Sequence, residues 1–252
     1  MSKIIFHKII VTICLGFLLT IFSDSLTKQA IADNADESAR QGLPGRRVGG
    51  GTRGGQLEIL PLTALVPENT QITTIAEIPT LFFYVPKTQS SQKVEFILSD
   101  ENEKEIYKIN FTTNGNAGVI GVKVSANGQE KPLELGKNYS WFFSIVSNPN
   151  EPSSTVFVNG SIKRIQPSQD LVTELKDKSP LEQVELYVNK SYWSDALYTL
   201  AGLRKSNPND RSVESKWREV LQSLKLDNMI QQPLVDYQVL AKQTDLEDME
   251  VQ

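Results

Sequence analysis

At Pro167 the apolar pattern of this 252-residue chain changes period, which limits it to a β-rich part followed by a helical one. Upstream, over 56–165, short apolar runs are separated by turn chemistry. Leu81-Phe82-Phe83-Tyr84-Val85 lies between Pro79 and Pro86, and the runs 94–98 and 106–112 flank a charged Asp100-Glu101-Asn102-Glu103-Lys104 turn. Asn114-Gly115 precedes the run 119–124, and Tyr139, Trp141, Phe143 and Ile145 alternate with Ser140, Phe142 and Ser144. The last run, 156–165, contains Asn159-Gly160, which reads either as a hairpin turn or as part of one strand. These runs predict an antiparallel immunoglobulin-like β-sandwich over 56–167, with Trp141 in the core between its sheets.

Beyond Pro167 the spacing predicts a three-helix, tetratricopeptide-like segment over 168–235. Ser179-Pro180-Leu181-Glu182 reads as an N-cap, a proline at the first helical position and an early acidic residue. Leu181, Val184 and Val188 share one helical face. Trp193, Ala196, Leu197, Leu200 and Leu203 form a second stripe, and Val213, Trp217, Val220, Leu221 and Leu224 a third. Tyr187, Ala196 and Pro208 fall at three tetratricopeptide consensus positions, whereas Pro180, Gln183 and Val184 occupy its Trp, Leu and Gly positions. One such hairpin cannot bury its own face, so Trp217 and its neighbours are expected to cap it. The helices read either as packing for stability or as a groove for another chain.

The N-terminus reads as a leader. Lys3 and Lys8 precede an uncharged apolar run over 9–22, and Ala30-Ile31-Ala32 supplies a cleavage signature that makes residues 1–32 a signal peptide. An earlier cut near Ser23 to Ser25, or an uncleaved anchor, is the other reading. The only His and the only Cys, His7 and Cys14, lie in this leader. A mature chain from Asp33 would therefore hold no Ser-His-Asp triad, no Cys-His dyad and no thiol or imidazole metal ligand. It could form no disulfide in an oxidising compartment and would rely on its core. Residues 1–32 carry three Lys and one Asp, so totals of 26 basic and 30 acidic residues become 23 and 29, and the net charge becomes −6. That acidic excess argues against general affinity for nucleic acid or anionic lipid.

The segment 33–55 reads as a Gly/Arg-rich flexible arm, because from Gly42 to Gly55 seven of fourteen positions are glycine and three are arginine. Arg46, Arg47 and Arg53 are its candidate partner-binding residues, since guanidinium forks take carboxylate, phosphate or sulfate in bidentate fashion. The competing reading folds the arm back over the sandwich, with glycine where side chains would clash. Residues 236–252, with Asp245, Glu247, Asp248 and Glu250, read as a solvated acidic tail. Letter matches elsewhere lack their context. Gly49-x-Gly51-x-x-Gly54 follows no strand, Ser90-x-x-Lys93 lacks its partner motifs, and Asp100-x-Asn102 has Lys104 and Glu105 where a calcium loop needs a ligand and a glycine.

Several segments together resemble a known family: Gly42-Leu43-Pro44-Gly45-Arg46-Arg47 through Arg53, Leu62-Thr63-Ala64-Leu65-Val66-Pro67-Glu68, Phe82-Phe83-Tyr84-Val85-Pro86, Leu135-Gly136-Lys137-Asn138-Tyr139-x-Trp141 and Trp193-x-Asp195-Ala196-Leu197-x-x-Leu200. In that order, between Gly42 and Leu234, they resemble the cyanobacterial domain of unknown function 928 family. The resemblance implies an exported protein of a photosynthetic bacterium and brings no catalytic residue, substrate or cofactor.

The expected function is a non-enzymatic binding or assembly module of the bacterial cell envelope, periplasmic or secreted. Its expected partner is another envelope protein or an acidic polysaccharide, with no cofactor, no nucleic acid and no transmembrane segment in the mature chain. Two alternatives stand beside it. One is a carboxylate-only hydrolase such as a glycosidase, with Glu58, Glu68 and Glu77 near aromatic strands. The other is a purely structural envelope protein.

Overall fold

Six consecutive residues, Thr80–Val85, are buried without a break, which a strand with one wet face cannot achieve. The reason is a stack of three layers. The computed structural model describes residues 44–50, 60–125, 131–146 and 155–236 and the backbone of Gln238–Val239. Its strands are β1 (Thr63–Ala64), β2 (Gln71–Thr74), β3 (Thr80–Val85), β4 (Lys93–Ser99) and β5 (Glu105–Thr112). They continue with β6 (Gly118–Lys123), β7 (Asn138–Val146), β8 (Val156–Arg164) and β9 (Gln238–Val239). One sheet has the order β1-β3-β6 and the other the order β2-β8-β7-β4-β5-β9. Leu81, Phe83 and Val85 of β3 face the larger sheet, while Phe82 and Tyr84 join a second core with the helices. The small sheet is thus the middle layer, apolar on both faces.

The core between the sheets is aromatic. The Phe83 ring stacks on Phe143 at 4.1 Å between centroids and meets the edge of Trp141 at 5.7 Å. The alternation read in β7 places Tyr139, Trp141, Phe143 and Ile145 on this face, and all four are buried. Asn159-Gly160 lies within one continuous strand, because β8 pairs with β7 from Val156 to Lys163. Gly160 stands opposite Trp141, and a Cβ there would come within 2.5 Å of the indole Cζ2 and collide with the Thr70 carbonyl. The glycine makes room for the ring rather than for a turn.

The charged residues 100–104 do turn a hairpin: Asp100 Oδ1 accepts from the amides of Asn102 (2.9 Å) and Lys104 (3.0 Å), and β4 and β5 pair antiparallel. The all-antiparallel expectation is corrected at β2, which runs parallel to β8. Parallel neighbours need a long crossover, and here the whole of β3 to β7 supplies it.

The helical layer contains α1 (Gln169–Lys176), α2 (Pro180–Asn189), α3 (Trp193–Ser206) and α4 (Arg211–Ser223), followed by a 3₁₀ turn at Asp227–Met229. The expected count of three missed α1, a short helix whose N-cap Ser168 Oγ accepts from the Leu171 amide (3.2 Å). Ser179 caps α2 as read, with the Glu182 carboxylate accepting from its amide at 2.8 Å. The three apolar stripes turn inward: Val184, Ala196, Leu197, Leu200, Trp217 and Val220 are all buried. Among the described residues no helix is long and apolar enough to cross a membrane.

Both ends of this unit close gaps between the sheets. The expected flexible arm is, over Pro44–Gly50, a strap. Arg46 bridges Asn159 of β8 in the larger sheet, and Val48 bridges Thr63 of β1 in the smaller one. Gly49 is required there, since a Cβ would come within 2.6 Å of Val156 Cγ1. At the other side Leu234 bridges Val119 of β6, and β9 pairs with Phe111 and Thr112 of β5, so the segment expected to be a tail begins as a strand. The reason in both cases is an open sheet edge, whose unpaired backbone groups are satisfied by a passing chain. The leader, Arg53 and the acidic residues beyond 239 lie outside the described residues.

Two glycine substitutions are expected to move stability in opposite directions. Gly160→Ala forces a methyl against Trp141 and Thr70 and should cost about 1–3 kcal/mol. Gly202→Ala on α3, where nothing lies within 4 Å of the added carbon, should gain up to about 1 kcal/mol. Thermal unfolding followed by circular dichroism checks both.

Candidate functional site

An open cleft of about 340 Å³ lies where the strap, the loop after β1 and the end of α4 converge. One wall is the turn Pro67-Glu68-Asn69, closed by a hydrogen bond from the Thr70 amide to the Pro67 carbonyl (2.9 Å) and by Asn69 Oδ1 accepting from the Gln71 amide (3.1 Å). The opposite wall is the α4 exit. There Lys225 takes a left-handed conformation (φ 56°), and the Leu226 amide reaches back to the Leu221 carbonyl at 2.8 Å. Trp193, the first residue of α3, lines the cleft and is only partly buried.

A single guanidinium ties the walls together. Arg47 Nη1 donates to the carbonyl of Leu224 (2.8 Å) and to that of Val66 (3.4 Å), and Nη2 donates to that of Lys225 (3.3 Å). The left-handed turn at Lys225 leaves the Leu224 and Lys225 carbonyls without a helical partner, and a planar fork of donors satisfies them. Across the opening, Lys225 Nζ pairs with Glu68 Oε2 at 3.0 Å. That ammonium, helped by Arg47, holds the Glu68 carboxyl below its ordinary range.

Asp195, third in α3, fixes the helix that carries Trp193. It is 8% exposed, and its Oδ1 accepts from the Thr74 hydroxyl (3.1 Å) and the Ala76 amide (3.2 Å). The bonds join α3 to the edge of the larger sheet beside β2. Burial pushes this carboxyl up from 3.8 to about 6, against the pull of its hydrogen bonds. Asp195 in turn pushes the Tyr187 hydroxyl upward, in the direction that burial already takes it.

The sequence candidates are dispersed. Arg47 serves as the internal brace just described. Arg46 is exposed and lies over the Phe157 ring at 4.8 Å, on the outer side of the larger sheet. Arg53 and Glu58 lie outside the described residues. Glu68 pairs with Lys225, whereas Glu77 pairs with Arg164 Nη2 at 2.7 Å, so different cations hold the two carboxylates. Among the described residues no group of three or more His, Cys, Asp or Glu could hold a metal ion. Asn69, Trp193 and Lys225 were not among the candidate site residues: Trp193 fits an apolar stripe, and nothing local marks the other two.

The raised Asp195 carboxyl makes stability fall with rising pH. The folded state holds this proton more tightly than the unfolded chain does, so the penalty develops between about pH 4 and pH 6 and persists above. At about 1.4 kcal/mol per tenfold in proton affinity it amounts to about 3 kcal/mol. Asp195→Asn keeps an acceptor for Thr74 and Ala76 without the charge. Urea unfolding should find it more stable than wild type at pH 7.5 and level with it at pH 4. Asp195→Ala should be less stable than Asp195→Asn at both pH values, by about 1–3 kcal/mol, because two buried donors lose their acceptor.

Arg47, Glu68 and Trp193 belong to three of the five segments that carried the family resemblance; Glu68 and Trp193 line one cleft, and Arg47 braces its walls. No curated protein matches this chain. Residues 48–234 match the family model described as Domain of Unknown Function (DUF928), and the chain belongs to that family.

Proposed function

We propose that this protein is an exported, non-enzymatic binding module of the bacterial cell envelope that holds a partner in the cleft between Glu68 and Trp193. The observation that carries this reading is the assembly of the cleft itself. Residues 47, 67–69, 193 and 223–225 are far apart in sequence, yet one guanidinium and one buried carboxylate hold their backbones in place. A recess held open in this way avoids part of the ordering cost of binding. In this proposal the sandwich is of immunoglobulin-like size, and α2 and α3 form a tetratricopeptide-like hairpin whose α3 carries Trp193 into the cleft. Export rests on the leader over 1–32, with cleavage after Ala32 and residence in the periplasm or outside the cell. The partner is another envelope protein or a polysaccharide.

The hydrolase alternative loses Glu68 as its acid. A glycosidase acid needs a raised pKa, and the Glu68 carboxyl is shifted the other way by Lys225. A purely structural envelope protein would show no specific partner.

The test is capture from envelope and culture-supernatant fractions with protein beginning at Asp33, read by mass spectrometry. A bait trimmed to Gln56 would lose Arg47 and with it the cleft, so Pro44 is the proper limit for truncation. Glu68→Lys places a cation opposite Lys225 at an exposed position and should reduce partner recovery at least tenfold. Adding Lys225→Glu should restore part of it. Equal recovery on Glu68→Lys, or no partner of either kind, protein or glycan, on wild type, overturns the reading.

A further inference from the structure

We propose that the cleft takes a single neutral sugar ring, its apolar face against Trp193 and its hydroxyls on the polar rim. This deepens the binding-module reading above and rests on it. Three tryptophans are present, and two of them, Trp141 and Trp217, are 1% and 0% exposed inside the two cores. Trp193 is the one that borders open space. An indole at the side of a recess offers a flat apolar surface with polar groups around it, which is how amphipathic ligands are oriented.

The rim decides the ligand's charge. Glu68 and Lys225 pair across the opening and cancel, and the Arg47 guanidinium is turned inward onto carbonyls. Arg47 keeps its positive charge, but it stands outside the lining of the cleft with three N–H bonds committed to carbonyls, and at the rim Glu68 sets a carboxylate against a phosphate, a sulfate or a uronic acid. What the rim does offer is a balanced set of donors and acceptors. The Lys225 ammonium carries three N–H groups, and Glu68 has a second carboxylate oxygen besides the one facing Lys225. Asn69 has its Oδ1 committed to the Gln71 amide and so presents its NH₂ as a donor. Ser223 donates its proton to the Glu219 carbonyl (2.9 Å) and keeps its oxygen as an acceptor. Hydroxyl groups, which both donate and accept, match this mixture, whereas a purely anionic or purely cationic ligand leaves half of it unpaired. At about 340 Å³ the cleft is at the small end of ligand sites, so it has room for one ring and leaves a longer chain to run out at its ends.

The probes are cellotetraose, for a neutral secreted glucan, and chitotetraose, for the N-acetylated sugar of a wall glycan. Tetragalacturonate is the acidic control. Because Trp193 alone is accessible, a bound neutral probe should shift the tryptophan emission and saturate, and the better of the two identifies the source. Tetragalacturonate should bind at least about tenfold more weakly. Calorimetry on Glu68→Gln, an exposed and isosteric change, should show about tenfold weaker binding at unchanged melting temperature, the scale of one lost charge-assisted hydrogen bond. Trp193→Phe, which keeps a flat ring and the fold, should weaken binding as well. If a partner is captured through the cleft but no neutral probe binds at millimolar concentration, the sugar assignment falls and the binding-module reading stands. Tighter binding of tetragalacturonate, or neutral binding unaffected by either variant, also overturns it. Failure of both the capture and the sugar titration removes the reading together with the inference.

Discussion

The small sheet has two apolar faces and only three strands, and the rest of the molecule answers to that. A strand such as β3 that alternates Leu81, Phe83 and Val85 with Phe82 and Tyr84 must be covered on both sides to be worth forming. The six-stranded sheet covers one side with aromatic side chains centred on Phe83 and Phe143. The helices cover the other with Val184, Leu197, Leu200, Trp217 and Leu221. Neither outer layer is an independent ornament, because each supplies half of the environment of the same six residues.

Layers that meet face to face still leave edges, and the chain uses its own ends to close them. The strap at Arg46 and Val48 spans one side and the segment from Leu234 to Val239 the other, each bridging from one sheet to its neighbour. Arg47, between the two strap bridges, reaches through to the end of α4 and so joins the third layer to the first two. Asp195 makes a second tie, between α3 and the larger sheet, at the cost of a buried charge. The cleft is a by-product of these ties: two turns are held apart by the groups that fasten them.

Much of the fold was legible from local patterns. The period-two alternation at 139–145 and the Asp100 turn led to β7 and to the β4–β5 hairpin, because side-chain direction along a strand is fixed by the backbone itself. Ser179-Pro180-Leu181-Glu182 gave away the start of α2 for the same kind of reason, since a cap acts within one turn. Strand β2 escaped because Gln71–Thr74 has four residues and little apolar content, and its place depends on β8 about ninety positions away. Helix α1 escaped for similar reasons, with Leu171 as its single buried residue. Gly160 misled because the same Asn-Gly pair suits a turn or a close approach, and the indole of Trp141 decides between them.

The sequence by itself determined the two textures, the start of α2 and the apolar residues from which both cores are made. It also determined the family, through segments that recur in order. The tertiary structure alone decided that β3 would be shared by two cores, that Pro44–Gly50 of the glycine-rich arm would become a strap, and that Arg47 would spend its donors on the backbone of a helix end. The physical reason is range. Periodicity, capping and turn chemistry act over a few residues and leave their mark in composition. The partners of Arg47, Asp195 and Glu68 lie 19 to 178, 119 to 121 and 157 positions away, and only packing brings them within hydrogen-bonding distance.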